Sequence, residues 1–121
     1  MKSKLMVPGL IFATFLPFGA HANNVAAFYK GKTVKIVIGG SMGGAYGLYA
    51  QLLSRHVNRH IAGNPTVVVQ SMPGSGGNKA MNYTTNAGAQ DGSLVSIVQI
   101  SVVQETLFNP KVRFNAKNYK Y

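Results

Sequence analysis

Apolar residues arrive in short runs separated by glycine, and the spacing inside the runs switches between strand-like and helical periods. Residues 33–38 (TVKIVI) are rich in β-branched side chains and short enough for a strand. Tyr49, Leu52, Leu53, His56, Val57, His60 and Ile61 then recur at helical spacing, and Gly63 and Pro65 end that helix. A second strand is predicted over 66–70 (TVVVQ), a glycine turn over 71–77 (SMPGSGG), and a short helix over 78–87 with Ala80, Tyr83 and Ala87 on one side. The Asp91-Gly92 turn opens a third strand over 94–99 (LVSIVQ). Ser101 and Gln104 match a Ser-x-x-Gln capping box, which predicts a third helix from Ser101 to about Phe108.

Strand, helix, strand, helix, strand is the order of an α/β domain. Right-handed crossovers put such strands in one parallel sheet with helices on both faces, and ligands in open α/β sheets bind beyond the carboxyl ends of the strands. Both glycine-rich turns fall there. In 34–53 (VKIVIGGSMGGAYGLYAQLL) four glycines in six residues separate the strand from the helix. Bare backbone lets main-chain N–H groups approach a ligand closely, and the helix N-terminus behind them carries partial positive charge, so an anion is the expected guest. Tight packing of turn against sheet is the other explanation for the same glycines.

The beginning of the chain carries an address. In 1–22 (MKSKLMVPGLIFATFLPFGAHA), Lys2 and Lys4 precede an apolar stretch broken by Pro8 and Pro17, and Ala20-His21-Ala22 is a small-x-small cleavage site. This predicts a secretory signal peptide, with the mature chain starting near Asn23 and not itself membrane-spanning. The chain has 121 residues, so residues 23–121 suffice for one small domain with a single core. It contains no cysteine and gains nothing from an oxidising compartment.

Charge narrows the chemistry. Twelve Lys and Arg stand against two acids, Asp91 and Glu105, and such a surface attracts anions. The basic residues are scattered through Lys30, Lys32, Lys35, Arg55, Arg59, Lys79, Lys111, Arg113, Lys117 and Lys120, and a secreted destination argues against nucleic acid as the partner. Paired-carboxylate hydrolysis needs two acids in one site, whereas these two fall in separate segments. Cysteine nucleophiles are absent, and no G-x-S-x-G elbow presents a serine. No catalytic residue is assigned. Gly43-Gly44 is followed by Ala45-Tyr46 and not by the Lys-Ser/Thr of a P-loop, and Gly39, Gly40, Gly43 and Gly44 do not form G-x-G-x-x-G. His56 and His60 stand four apart but lack the glutamate and third ligand of a metal site. Neither a metal nor a cofactor is expected.

Three stretches, GGSMGGAYGLYAQLL after the first strand, NPTVVVQSMPGSGGNKAMNY around the second and AQDGSLVSIV into the third, together resemble the substrate-binding proteins of tripartite tricarboxylate transporters, the Bug family of periplasmic receptors. The resemblance runs from about Phe28 to Tyr119, and its most specific part is the middle stretch from Asn64 to Asn78. It implies a periplasmic receptor built as a two-domain α/β clamp, which captures a small carboxylate and delivers it to a membrane permease. It further implies that Gly40, Ser41, Gly43, Gly44 and Tyr46 of the first loop face the ligand. Pro73, Gly74, Ser75, Gly76, Gly77 and Asn78 of the second loop would grip the same carboxylate, with Ser101 at a third.

Two departures from the family pattern stand out. Gly47 occupies a first-turn position where members often carry aspartate, so the ligand's identity does not carry over. The sequence stops where members continue into a second domain, so 23–121 reads as the N-terminal part of a clamp whose second domain is absent. The alternative is a non-binding remnant or a secreted interaction domain.

Overall fold

The computed structural model of the chain describes residues 20–109 and 112–115. The signal peptide read over 1–22 therefore lies outside the described residues up to position 19, as do Lys111, Lys117 and Lys120. A helix not anticipated from the sequence, α1 (Ala20–Tyr29), comes first. Gly31, at φ +73°, ends it in the left-handed conformation that suits glycine beyond a helix. Strand β1 (Thr33–Ile38), helix α2 (Ala45–His56), a 3₁₀ turn (Val57–His60) and strand β2 (Thr66–Ser71) follow. After these come a second 3₁₀ turn (Ser75–Gly77), helix α3 (Asn78–Asn86), strand β3 (Leu94–Ile97) and helix α4 (Ile100–Phe108).

The three strands form one parallel sheet in the order β2-β1-β3. β1 is central, and Val34, Ile36, Val37 and Ile38 are all buried, as expected of a parallel strand covered on both sides. Alternation along β1 assigns the helices to opposite faces. Ile36 and Ile38 pack with Ala50 of α2, and Val67, Val69 and Ile97 complete that cluster. On the other face Val37 is in register with Ser96, whose hydroxyl lies 3.6 Å from Met81 Sδ of α3. Met81 joins Val102 of α4 and Phe114 in a second cluster, so the segment 112–115 closes over α3 and α4. The expected α/β architecture is present, and among the described residues no helix is long and apolar enough to cross a membrane.

The face of α2 chosen from periodicity is the wrong one. Tyr49, Leu52 and Leu53 are exposed, as are His56 and His60, while Gly47 and Ala50 are the buried residues. The sheet supplies the bulk, because Ile36, Ile38, Val67 and Val69 already fill the space, and the helix can seat itself only by presenting small residues. On α3, likewise, Ala80, Met81 and Thr84 are buried and Ala87 is exposed.

The Asp91-Gly92 turn launches β3 as anticipated. Asp91 Oδ1 accepts hydrogen bonds from the Ser93 backbone N–H at 3.0 Å and the Ser93 hydroxyl at 2.5 Å, an Asx turn. Tyr29 Oη donates to Gly92 O at 3.0 Å, and Lys32 Nζ reaches Asp91 Oδ2 at 3.4 Å, which fastens the turn to the end of α1.

Two predictions follow from this packing. Ile38→Ala removes a fully buried side chain and should cost about 3 kcal/mol, whereas Leu52→Ala, on the exposed face of α2, should change stability by less than about 0.5 kcal/mol; urea unfolding of the two variants checks both. The hydrogen bonds from Ser93, helped by Lys32, lower the Asp91 carboxyl from 3.8 to about 2. A carboxyl depressed in the folded state stabilises above its unfolded value and loses that contribution as pH falls through the folded one. The difference in Tm between wild type and Asp91→Asn should therefore shrink as pH drops from 3.8 towards 2, read by thermal scans at fixed salt.

Candidate functional site

The loops that leave the carboxyl ends of the three strands form one assembly. Loop 39–44 follows β1, loop 72–77 follows β2, and Val98 and Gln99 join β3 to α4. A Cβ on Gly39 would stand 2.6 Å from Gly77 Cα, so the first two loops meet backbone to backbone. Ser71 Oγ donates to Gly40 O at 2.8 Å, and Ser101 Oγ donates to Gly76 O at 3.1 Å. Because β1 lies between β2 and β3, its loop occupies the middle of the edge, at the point where chain order reverses direction.

The glycines divide by cause. Gly39 and Gly77 are bare because the two loops touch, and Gly77 also takes φ +99° with Val102 Cγ2 3.0 Å from where its Cβ would be. From Gly74 to Gly77 the second loop keeps φ positive, at +143° for Gly74, +49° for Ser75, +61° for Gly76 and +99° for Gly77. Glycine suits that conformation, and Ser75 bears about 1 kcal/mol of strain to hold it. Gly47 is buried, and a Cβ there would run into the Met42 carbonyl and come within 2.5 Å of Ser41 O. The first loop thus folds back onto α2 over Gly47, leaving no room for a side chain there.

Gly43 and Gly44 have no such cause. A Cβ on Gly43 would meet nothing within 4 Å, and one on Gly44, whose φ is −80°, would reach only ordinary contact with Ser41 at 3.4 Å. Neither packing nor a left-handed backbone demands glycine at these two positions. Gly43 is exposed and Gly44 half-buried, so the bare main chain faces outward.

Three helix N-termini end at this edge, and none is capped by a side chain: Gly44 precedes α2, Gly77 precedes α3 and Gln99 precedes α4. Each leaves first-turn N–H groups without an intrahelical acceptor, and each carries the positive end of a helix dipole. The capping box read at Ser101 does not form. α4 begins one residue earlier, and the Ser101 hydroxyl is spent on Gly76 O, because the second loop lies closer to it than the helix's own N–H groups need it to be.

Other predicted residues fall as follows. Ser41, Pro73, Gly74, Ser75, Gly76 and Ser101 are exposed, and Gly40 and Tyr46 are half-buried. Asn78, the first residue of α3, is half-buried with its Oδ1 buried and without a hydrogen-bond partner among the described residues. Tyr49 stands on the outer surface of α2. The stem of Lys79 runs alongside Gly74, its Cδ 3.4 Å from where a Cβ would be. No acid is placed in these loops. Asp91 sits at the amino end of β3, and Glu105 Oε2 accepts from Asn109 Nδ2 at 2.8 Å near the far end of α4.

Three supporting residues escaped the sequence reading. Ser71 joins the first loop to the second strand, and Gln51 Nε2 donates to Met42 O at 2.9 Å and Gly47 O at 3.2 Å, pinning the first loop to α2. Gln99, read as a strand residue, lies beyond the end of β3 with its carboxamide between the first two loops. Of the three, only Gln99 left a signal: a polar residue where an apolar strand gives way to a helix.

At the opposite end of the sheet an open concavity of about 810 Å³ is lined by α1, the 3₁₀ turn and the 61–64 turn, with Lys30, Arg59 and His60 at its rim. The histidine pair makes no joint site: His56 Nδ1 is taken by Arg59 Nη2 at 2.7 Å, and no group of three metal-ligating side chains occurs among the described residues. No family model, curated protein or solved structure matches the chain.

The division among glycines is testable by stability alone. Gly77→Ala, which meets a left-handed φ and close contacts at once, should lose about 2 kcal/mol or more, whereas Gly43→Ala should stay within about 0.5 kcal/mol of wild type. Thermal or urea unfolding separates the two.

Proposed function

We propose that this chain is a solute-binding module which holds the carboxylate of a small ligand at the carboxyl edge of its sheet. It would work in the periplasm as the receptor part of a tripartite tricarboxylate-type transporter and pass its ligand to a membrane permease. The observation that carries the reading is Gly43-Gly44: bare, outward-facing backbone at an uncapped helix N-terminus, with no reason inside the fold to be glycine. Close approach of an anion to main-chain N–H groups supplies that reason.

The electrostatics support it. Donors at three helix N-termini and the Lys79 side chain favour an anion, and neither Asp91 nor Glu105 lies among these loops to repel one. The binding step needs no proton transfer and no nucleophile, so the assignment is to a receptor and not an enzyme. Most of the gripping residues are exposed, and donors left in water form weaker charge-assisted bonds. The chain by itself is therefore expected to bind with a dissociation constant on the order of millimolar, about 4 kcal/mol.

A second reading, a secreted interaction domain, has its own observation. α4 exposes Ile100, Val103, Leu107 and Phe108, with Phe108 at 82%, and contiguous apolar surface of this kind marks protein contacts. Sedimentation of the chain with and without carboxylates separates the readings, since a receptor responds to the small acid and an interaction domain to concentration.

Calorimetric titration with a panel of di- and tricarboxylates is the direct test. Gly43→Val should abolish binding while leaving the melting temperature within about 2 °C of wild type, because the added side chain has room in the fold but fills the ligand's approach. Lys79→Ala should weaken binding only a few-fold, in a salt-dependent manner. Retained affinity in Gly43→Val together with complete loss in Lys79→Ala would reverse the mechanism.

A further inference from the structure

The half-buried Gln99 has a carboxamide in an unusual place. It neither caps α4, which it precedes, nor hydrogen-bonds to any other side chain or main-chain group among the described residues. It lies instead between the two glycine loops. A Cβ on Gly40 would stand 3.0 Å from Gln99 Nε2, and a Cβ on Gly77 would stand 2.8 Å from Gln99 Oε1. Two of the glycines are thus bare at the points where this side chain passes.

The chemistry of that position differs from its surroundings. Main-chain N–H groups at helix N-termini are donors only, and a carboxylate satisfies them. A carboxamide, whichever way its ends are turned, presents a donor end, its NH₂, and an acceptor end, its carbonyl oxygen. The donor end adds to the grip on a carboxylate, but the acceptor end repels one and calls for a hydroxyl. A ligand bearing a carboxylate and a neighbouring hydroxyl satisfies both ends, while the same acid without the hydroxyl leaves the acceptor unmatched.

We propose that Gln99, wedged between the Gly40 and Gly77 loops, is the specificity-determining side chain of this edge and selects hydroxycarboxylates over the corresponding unsubstituted acids. The inference rests on the carboxylate-binding reading above and adds to it a residue and a ligand class.

The test is calorimetric titration of the full chain and two variants with malate and succinate, which differ by one hydroxyl. Wild type should bind malate at least about tenfold more tightly than succinate. Gln99→Leu should bring the two acids within about twofold of each other, chiefly by weakening malate. Gln99→Glu, nearly the same shape, should weaken both acids, since it replaces the donor with a negative charge. If Gln99→Leu fails to fold by thermal scan, Gln99→Met takes its place in the same comparison. A malate preference that survives removal of the carboxamide, or a wild type that binds both acids equally, overturns the role of Gln99 while leaving the carboxylate reading intact. A wild type that binds neither acid, nor any other carboxylate, overturns both.

Discussion

The backbone of Gly39 meets that of Gly77, and the rest of the carboxyl edge depends on that contact. Two strands in parallel register place the starts of their loops side by side, but side-chain-bearing residues would hold those loops apart. With no Cβ at either position the loops close on each other, α3 begins against the end of β1, and Gln99 of the third connection and Val102 of α4 settle over Gly77. Three helix N-termini are thereby gathered at one edge. Ser71 and Ser101 then lock the arrangement through hydroxyl-to-carbonyl bonds between loops, each contributing about 1 kcal/mol.

A concentration of dipoles at one edge suits a chain so poor in acids. With Asp91 and Glu105 as the only carboxylates, the protein has few side-chain partners for its cations, and Lys32 with Asp91 is the one ion pair among the described residues. That pair sits at the amino end of the sheet, where it helps to anchor the turn into β3. The opposite end carries its positive potential in main-chain N–H groups, which are fixed by the fold.

Close seating of α2 has a further consequence. Small residues at Gly47 and Ala50 let the helix approach β1 and β2, and Gly47 also admits the returning first loop. The larger apolar residues are left outside, at Leu48, Tyr49, Leu52 and Leu53, and α4 shows the same habit at Ile100, Leu107 and Phe108. Apolar surface is thus distributed on both sides of the carboxyl edge. Burying it against another surface would contribute about 25 cal/mol for each Å² removed from water.

Much of the fold was legible in the chain because its signals are local. The β-branched run 33–38 matches β1 residue for residue and the Asx turn at Asp91 launches β3, whereas α2 ends at His56 and gives way to the 3₁₀ turn before Gly63 and Pro65, expected to stop the helix, are reached. Strands this apolar, separated by helix-length segments, leave little choice but a parallel α/β sheet. What the sequence could not settle were matters of distance between segments. Helical spacing marks Leu52 and Leu53 as apolar but does not say that Ile36 and Val67 leave room only for Ala50, and a Ser-x-x-Gln spacing cannot reveal that Gly76 O lies nearer to the serine. A glycine-rich turn looks the same in sequence whether its glycines serve packing, backbone conformation or an incoming ligand. Only the tertiary structure separates Gly39 and Gly77, which the fold needs, from Gly43 and Gly44, which it does not, because the reason for lacking a Cβ lies in whatever occupies the space around it.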